Sequence, residues 1–387
     1  MIRINGVLFR VRLDSSYDDL PWQLSQATAD VVLVERRLIR RGEAVKTFDS
    51  DVDALRWLDS ERRGDDGHAW VGYLGYELGQ TFEPKACVRP TRPTATPRFA
   101  FGRVPVRDDE PSRPQARPST SSEDWTSTFE RDDYLAAVRR CIDYIEAGDV
   151  FQINLAQTLI VDRPPPAELL YERLLTATPA RFGGVLQIGD AAIVCNSPEL
   201  FLRIEPDGRI QTRPIKGTRP AGDTAASLLD STKDAAELNM IVDLERNDLG
   251  RVCETSSVIV TSPRSVETHP TVHHGVATIE GQLRQNIGLA DVLAATFPSG
   301  SITGAPKIRA MQIIDELEPT PRGPYCGAIG RLDADGSATF NVAIRTATHV
   351  DGRLHIPVGG GIVADSEPAA EYEETLVKAR AFLAAAG

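Results

Sequence analysis

The chain has 387 residues, of which 41% are hydrophobic and 25% charged, and its formal net charge at pH 7 is -12. This length allows one large domain or two ordinary ones, and the composition is that of a soluble globular protein. The acidic balance argues against nucleic acid or an anionic membrane as a partner. Because no apolar run has the length of a signal-peptide core or a membrane span, we expect a cytoplasmic protein.

Three regions follow one another along the chain. Residues 1–104 hold short alternating patterns and the stretch HAWVGYLGYELG, which predict a β-rich N-terminal region. Residues 105–122 are rich in Pro, Ser and charge and predict a linker or a mobile loop. Residues 123–387 alternate β-rich segments with helical ones, and we expect the functional residues there.

The third region opens with a predicted helix, because apolar residues recur at helical spacing from 135 to 145 and Gly148 ends the pattern. A strand is predicted over 151–161. Further helices are predicted at 225–244, 287–296, 305–317 and 367–385. Three Asp-Gly pairs are typical of hairpin turns: Asp207-Gly208, Asp335-Gly336 and Asp351-Gly352. Together these patterns favour antiparallel sheets in an α+β protein.

Carboxylates recur on two of the predicted helices. Glu371, Glu374 and Lys378 share one face of the last helix, which on an isolated helix is an ordinary solvated stripe. Glu237 begins another helix whose next turns are mostly apolar. Three carboxylates without His or Cys suit a hard cation, above all Mg²⁺, which would also help an acidic protein hold an anionic substrate.

Two glycine-rich segments can supply backbone N–H groups to an anion. FPSGSITGAPKIRAM is a loop that enters a helix, with the Ser301 and Thr303 hydroxyls close to the helix start, although plain capping is the alternative. VGGGIVAD formally satisfies G-x-G-x-x-A. Too few residues follow it to complete a dinucleotide fold, so a carboxylate is the better ligand for these amides.

Several blocks resemble, in the same order, those of the chorismate-utilising enzymes: FQINLAQ, SPELFL, RPIKGTRP, ELNMIVDLERNDLGRV, FPSGSITGAPKIRAM, RGPYCGAIG, FNVAIRT and GGGIVADSEPAAEYEET. That family includes anthranilate, aminodeoxychorismate, isochorismate and salicylate synthases. The resemblance covers about residues 125–385 and is loose before residue 105. It implies two large, mostly antiparallel sheets packed orthogonally as a sandwich, with helices outside and the active site between the sheets, so that residues 123–387 are the chorismate-binding catalytic region.

The resemblance also implies site residues. Glu237 and Glu374 match direct Mg²⁺ ligands, and Glu371 matches a ligand that acts through water. Glu199 matches the general acid that protonates the departing C4 hydroxyl. Positions around the substrate are matched by Thr218, Ser301, Tyr325, Arg345, Gly360, Gly361 and Lys378.

A histidine is also expected at this site. His274 aligns with the family histidine, but Gly275 and Ala277 depart from the usual motif around it, so His273 stays an alternative. A third reading is a core histidine with a satisfied hydrogen bond.

Two positions separate the branches of the family. Members that add water carry a lysine base where this chain has Gln152, and an amide cannot take a proton from water. Lys216 lies in PIKGT, the form typical of aminodeoxychorismate synthases, whereas anthranilate synthases typically have PIAGT. The resemblance therefore implies amination of chorismate at C4 through a lysine adduct at C2, which needs a neutral amine and hence a lowered Lys216 pKa.

Ammonia must come from elsewhere. The five cysteines lie singly, none in a nucleophile elbow, so the sequence contains no recognisable glutaminase triad. A separate glutamine amidotransferase subunit, or free ammonia, is the expected source. Two alternatives stay open: an anthranilate synthase component I, and a non-catalytic protein that binds chorismate or tryptophan.

Overall fold

The computed structural model describes residues 8–15, 22–40, 42–64, 67–106, 124–224, 226–269 and 272–387. The α-helices in these ranges are α1 (Asp51–Glu61), α2 (Gly79–Phe82), α3 (Arg131–Glu146), α4 (Ala167–Ala177), α5 (Ala226–Asp230), α6 (Thr232–Gly250), α7 (Leu289–Thr296), α8 (Lys307–Leu317) and α9 (Pro368–Ala386). The strands are β1 (Phe9–Asp14), β2 (Leu24–Thr28), β3 (Val31–Val34), β4 (Arg37–Arg40), β5 (Glu43–Thr47), β6 (His68–Leu74), β7 (Phe99–Pro105), β8 (Thr126–Ser127), β9 (Gln152–Asp162), β10 (Phe182–Ile188), β11 (Ala191–Ser197), β12 (Leu200–Ile204), β13 (Arg209–Arg213), β14 (Ile215–Pro220), β15 (Ile259–Thr268), β16 (Val272–Gln282), β17 (Gly304–Ala305), β18 (Ala328–Asp333), β19 (Ala338–Asn341), β20 (Thr346–Val350) and β21 (Arg353–Ile362).

Within the described ranges these strands form two large antiparallel sheets. The first has nine strands in the order β17-β9-β21-β20-β11-β10-β1-β2, with β8 also paired to β9. The second has twelve strands in the order β14-β16-β13-β12-β19-β18-β6-β7-β3-β4-β5, with β15 also paired to β16. The predicted α+β class with two large antiparallel sheets is confirmed.

The N-terminal region contributes strands to both sheets. β1 and β2 extend the first sheet beyond β10, and β3 to β7 extend the second sheet beyond β18. The buried Trp22 indole fixes part of this region, since its N–H donates to the Gly183 carbonyl at 3.0 Å and its ring lies edge-on to Phe182. β7 reaches Pro105, the first residue of the predicted linker, and residues 107–122 of that prediction lie outside the described residues.

The predicted helix that ends at Gly148 is confirmed as α3, which buries Tyr134, Leu135 and Val138 on its apolar face. The single helix predicted over 225–244 is wrong. The structure has two helices there, because Ser231 leaves the helical conformation and its hydroxyl accepts the Asp234 N–H at 3.2 Å as the cap of α6. α6 then continues to Gly250.

All three Asp-Gly pairs join antiparallel neighbours, as predicted: β12 with β13, β18 with β19, and β20 with β21. Two other strand pairs matter for the site. In the first sheet β21 lies next to β9, and in the second sheet β14 lies at one end against β16. No helix in the described parts of the chain is both long enough and apolar enough to cross a membrane.

Candidate active site

Lys216 lies on β14 and reaches from the second sheet toward the first. Its carbonyl is so close to β16 that a Cβ on Gly275 would lie 2.6 Å from it, so only glycine fits there. The Lys216 amine lies close to β21 of the first sheet. A Cβ built on Gly361 of that strand would be 3.5 Å from Lys216 Nζ and 2.8 Å from Gln152 Nε2. Lys216, Gln152 and Gly361 therefore meet where the two sheets face each other.

The surroundings of the Lys216 amine shift its pKa. Burial lowers the pKa of Lys216, and the nearby Glu237 and Glu199 carboxyls oppose that shift without cancelling it. A larger fraction of Lys216 is therefore neutral at a given pH than for an exposed lysine. A neutral amine is the form that can form a bond to carbon.

Glu199 lies in the short connection between β11 and β12 and is 3% exposed. Burial raises the pKa of its carboxyl to about 8, although the Ser301 hydroxyl partly opposes this shift. Among the described residues Glu199 Oε1 has no hydrogen-bond partner. A carboxyl that keeps its proton near neutral pH and has one oxygen unengaged can serve as a general acid.

Two residues that the sequence did not single out extend this group. Ser299 lies beside Ser301, with 3.0 Å between the hydroxyl oxygens, and donates to Glu245 Oε1 at 2.9 Å. The other Glu245 oxygen accepts the Thr212 hydroxyl at 2.8 Å. The sequence carries one signal for this position, because Glu245 recurs at helical spacing with apolar residues that are also buried on α6, namely Leu238, Ile241 and Leu249.

The carboxylates of α9 converge on β21. A Cβ on Gly360 would lie 3.2 Å from Glu371 Oε2 and 3.9 Å from Glu374 Oε1. Lys378 Nζ pairs with Glu374 Oε1 at 2.7 Å and donates to the Gly359 carbonyl at 2.9 Å. The predicted shared face of α9 therefore covers the glycines of β21.

The predicted Mg²⁺ ligands fit the ion in their chemistry. Partial desolvation of the exposed Glu374 would raise its pKa, but Lys378 beside it holds that pKa below its usual value, so the carboxylate is ionised. Glu237 is close enough to act on the charge of Lys216. In the part of the chain that the structure describes, no three His, Cys, Asp or Glu side chains lie in ligand geometry, so the metal site stays a prediction.

His274 and Arg345 lie near each other beside the cleft, the space between the two sheets where Lys216, Gln152 and Gly361 meet. His274 Nδ1 is 3.0 Å from the Thr218 hydroxyl across the β14–β16 pair. Burial and then the Arg345 charge lower the pKa of His274 to about 3, so its imidazole is neutral at physiological pH. His273 instead bonds the Thr268 hydroxyl at 3.0 Å, on the neighbouring strand β15.

The remaining predicted residue, Tyr325, is buried before β18, where its nearest charged neighbours include Arg322 and Glu318. Within the described part of the chain, no hydrogen bond or ion pair joins Tyr325 to the group around Lys216.

Some of the buried polar atoms that lack a partner among the described residues lie at the cleft. Both amide atoms of Gln152, which is 0% exposed, make no hydrogen bond to the described residues, and the same holds for Glu199 Oε1 and His274 Nε2. Such atoms are rare in folded proteins because each one costs free energy. At the cleft these atoms lie beside the Lys216 amine, where a polar ligand could pair with them.

The family model described as chorismate binding enzyme matches residues 24–384. The chain belongs to the chorismate-binding enzyme family. The predicted family is thus confirmed. The match begins at residue 24, whereas the motifs that resemble the family lie within about residues 125–385.

Relatives with two different names are about equally similar. The chain is 41% identical over 325 residues to anthranilate synthase component 1 of Haloarcula marismortui, covering 78% of this chain and 66% of that protein. It is 44% identical over 277 residues to aminodeoxychorismate synthase component 1 of Salmonella typhimurium, covering 70% of this chain and 61% of that protein. The chain thus spans less than two thirds of the length of these relatives.

Solved structures agree on the fold. Anthranilate synthase component I of Streptococcus pneumoniae is 28% identical, with a TM-score of 0.80 over 97% of this chain and 92% of that one. The isochorismate synthase MenF of Escherichia coli is 18% identical, with a TM-score of 0.71 over 98% of this chain and 95% of that one. The second likeness concerns the fold alone.

Proposed function

We propose that the chain is aminodeoxychorismate synthase component I, which converts chorismate and ammonia to 4-amino-4-deoxychorismate for para-aminobenzoate and folate synthesis. The observation that carries this proposal is the Lys216 amine, which lies between the two sheets beside Gly361 and whose pKa burial lowers. A lysine that only solvated a turn would hold its amine in water. This one faces Gln152, whose amide has no partner among the described residues, and Glu199, whose pKa burial raises to about 8.

The side chains suit a substitution in two allylic steps. In the first, the neutral Lys216 amine forms a bond to C2, the C4–O bond breaks, and Glu199 gives its proton to the hydroxyl, which leaves as water. In the second, ammonia forms a bond to C4, the C2–N bond to Lys216 breaks, and the proton that the new C4 ammonium loses restores the acid. The balance is chorismate plus ammonia giving 4-amino-4-deoxychorismate plus water.

The basic groups of the cleft would hold the substrate carboxylates. Arg345 has no ion pair with any described residue, and the Gly360 and Gly361 segment offers backbone atoms close to Lys378. Glu237 and Glu374, with Glu371 through water, would hold Mg²⁺, which when bound supplies positive charge for an anionic ligand. Ammonia would come from a separate glutamine amidotransferase, or from solution.

One assay tests the proposal. Purified chain, chorismate, Mg²⁺ and an ammonium salt should give a non-aromatic product with the mass of aminodeoxychorismate, which an added lyase converts to para-aminobenzoate. Lys216→Ala should reduce this amination by about 1,000-fold, or ~4 kcal/mol in the barrier, because the lost bond forms only in the reaction. The exposed Lys85 offers the matched control, Lys85→Ala, which should keep the wild-type rate. Product formation by Lys216→Ala at the wild-type rate would refute the adduct.

The second candidate is anthranilate synthase component I, which the similarity to the Haloarcula and Streptococcus proteins favours. It would aminate C2 and eliminate pyruvate, and its product is aromatic and fluorescent. Release of pyruvate with a fluorescent product in the same assay would select this candidate. No consumption of chorismate with Mg²⁺ and ammonium present would instead favour a non-catalytic binding protein.

A further inference from the structure

Glu245 is a buried carboxyl that the proposed reaction does not use. It is 5% exposed, it lies on α6, and its two oxygens accept hydroxyl groups from Thr212 and Ser299. No ion pair joins it to any described residue. An ionised carboxylate that is held only by neutral hydroxyls is costly to bury, so this environment favours the protonated acid.

Ser299 and Ser301 connect this acid to the cleft. The distances are 2.9 Å from Ser299 Oγ to Glu245 Oε1 and 3.0 Å between the two serine oxygens, and the Ser301 hydroxyl is near enough to Glu199 to lower the pKa of that carboxyl. Each serine hydroxyl can donate one hydrogen bond and accept another. The hydrogen bonds therefore run from Glu199 toward Glu245 when Glu199 carries the proton, and from Glu245 toward Glu199 when Glu245 carries it. The two carboxyls thus share one hydrogen-bonded chain.

We propose that Glu245 is a positioning residue, which acts through Ser299 and Ser301 to keep Glu199 oriented and protonated for its step. This inference rests on the proposed function only in giving Glu199 the role of general acid. When Glu199 loses its proton to the departing hydroxyl, a protonated Glu245 can donate to Ser299, Ser299 to Ser301, and Ser301 to Glu199. Glu199 then regains one proton and Glu245 loses one.

The electrostatics support this pairing. Burial raises the pKa of Glu245 to about 7 and that of Glu199 to about 8, so both can hold a proton near neutral pH. Each carboxyl also faces other charges. Asp248 of α6 and Lys307 of α8 face Glu245, and these two form an ion pair with each other. Lys216 of β14 faces Glu199 and lowers its pKa, whereas Glu245 raises it.

Glu245→Gln keeps the shape of the side chain and removes its proton and charge. Without this like charge, the pKa of Glu199 should fall by about one unit. The alkaline limb of the pH profile of chorismate consumption should move to lower pH by the same amount, because the rate needs protonated Glu199. Glu280→Gln is the matched control, since Glu280 is half-buried on β16 and, among the residues described, its carboxylate accepts only the Gln211 amide.

The titration can also be read without catalysis. The infrared band of protonated carboxyl groups is followed against pH, and the part that Glu199→Gln removes is assigned to Glu199. We expect Glu245→Gln and Ser299→Ala each to move the titration midpoint of the Glu199 signal to lower pH. In the double variant the midpoint should move by less than the sum of the two single shifts. Glu280→Gln should leave it in place.

Two results would overturn the inference. One is an unchanged Glu199 titration in Glu245→Gln with a rate that falls equally at all pH values, which a merely structural residue would produce. The other is a pair of additive shifts, which would mean that the serines do not connect the two acids. Release of an aromatic product would refute the proposed function and leave this titration unaffected, so the two failures are distinguishable.

Discussion

Two groups of buried polar and charged side chains differ in how completely the protein supplies their hydrogen-bond partners. Arg322 and Glu318 form a bidentate pair at 2.6 and 2.9 Å, with side chains only 3% and 4% exposed. Backbone groups complete it, because Arg322 also donates to two carbonyls and Glu318 accepts the Ala156 N–H. In the cleft, by contrast, Gln152 and Glu199 keep atoms without any partner among the described residues.

The difference separates structural burial from functional burial. A charge with every hydrogen bond made inside the protein has nothing left to offer a ligand, and its removal leaves an uncompensated partner. Atoms that stay unpaired cost stability and gain their partners only when a ligand binds. We therefore expect the Arg322 pair to control folding and the Lys216 cleft to control chemistry.

The largest expected effect is on the structural pair. Arg322→Ala leaves Glu318 buried without its cation and should lower the free energy of unfolding by about 3–5 kcal/mol, measured by urea denaturation. The exposed pair of Arg353 and Asp162 supplies the control, since Arg353→Ala should cost less than about 1 kcal/mol. Equal losses in the two variants would show that burial does not distinguish these pairs.

The next effect is on the cleft. Glu199→Gln should lower the rate of amination by about 100-fold, or ~2.7 kcal/mol, because an amide cannot protonate the leaving hydroxyl. Its resistance to urea at neutral pH should be no lower than that of the wild type, because the lost attraction to Lys216 is offset by removing a carboxyl whose pKa burial raises to about 8. A variant that unfolds as easily as Arg322→Ala would place Glu199 with the structural group instead.

A smaller effect is expected at the carboxylates of α9. Glu374→Gln should raise the Mg²⁺ concentration for half-maximal rate by at least about tenfold, the scale on which changes around a metal ion act. Its exposed neighbour Glu373 is the matched control, because it does not reach Gly360. Identical Mg²⁺ requirements in the two variants would remove Glu374 from the predicted ligands.

The smallest effect is a pH dependence of stability. The pKa of Glu199 is raised from 4.5 to about 8, so its contribution is fully present below pH 4.5 and is lost as pH rises through 8. Between pH 5 and pH 9 the wild type should therefore lose a few degrees more of thermal midpoint than Glu199→Gln. Parallel curves for the two proteins would mean that Glu199 titrates at its ordinary pKa.

Periodicity and turn chemistry were sufficient to predict α3 and the Asp-Gly hairpins. They did not predict the break at Ser231, because the helical pattern continues on both sides of it while the cap acts through a single hydroxyl. The family motifs located Lys216, Glu199 and the acids of α9. Glu245 escaped because a glutamate in a helix is normally solvated, and only the packing of α6 against Thr212 and Ser299 shows that this one is buried.

The central claim is that the Lys216 amine bonds to the substrate. The most direct measurement incubates the wild-type chain with chorismate and Mg²⁺ while ammonia is withheld, and follows the protein by intact mass and peptide mapping. We predict an added mass equal to chorismate less water, located on the peptide that contains Lys216 and absent from Lys216→Ala. Amination at C4 with no such adduct on the wild type, together with an Ala variant that aminates at the wild-type rate, would contradict the covalent route.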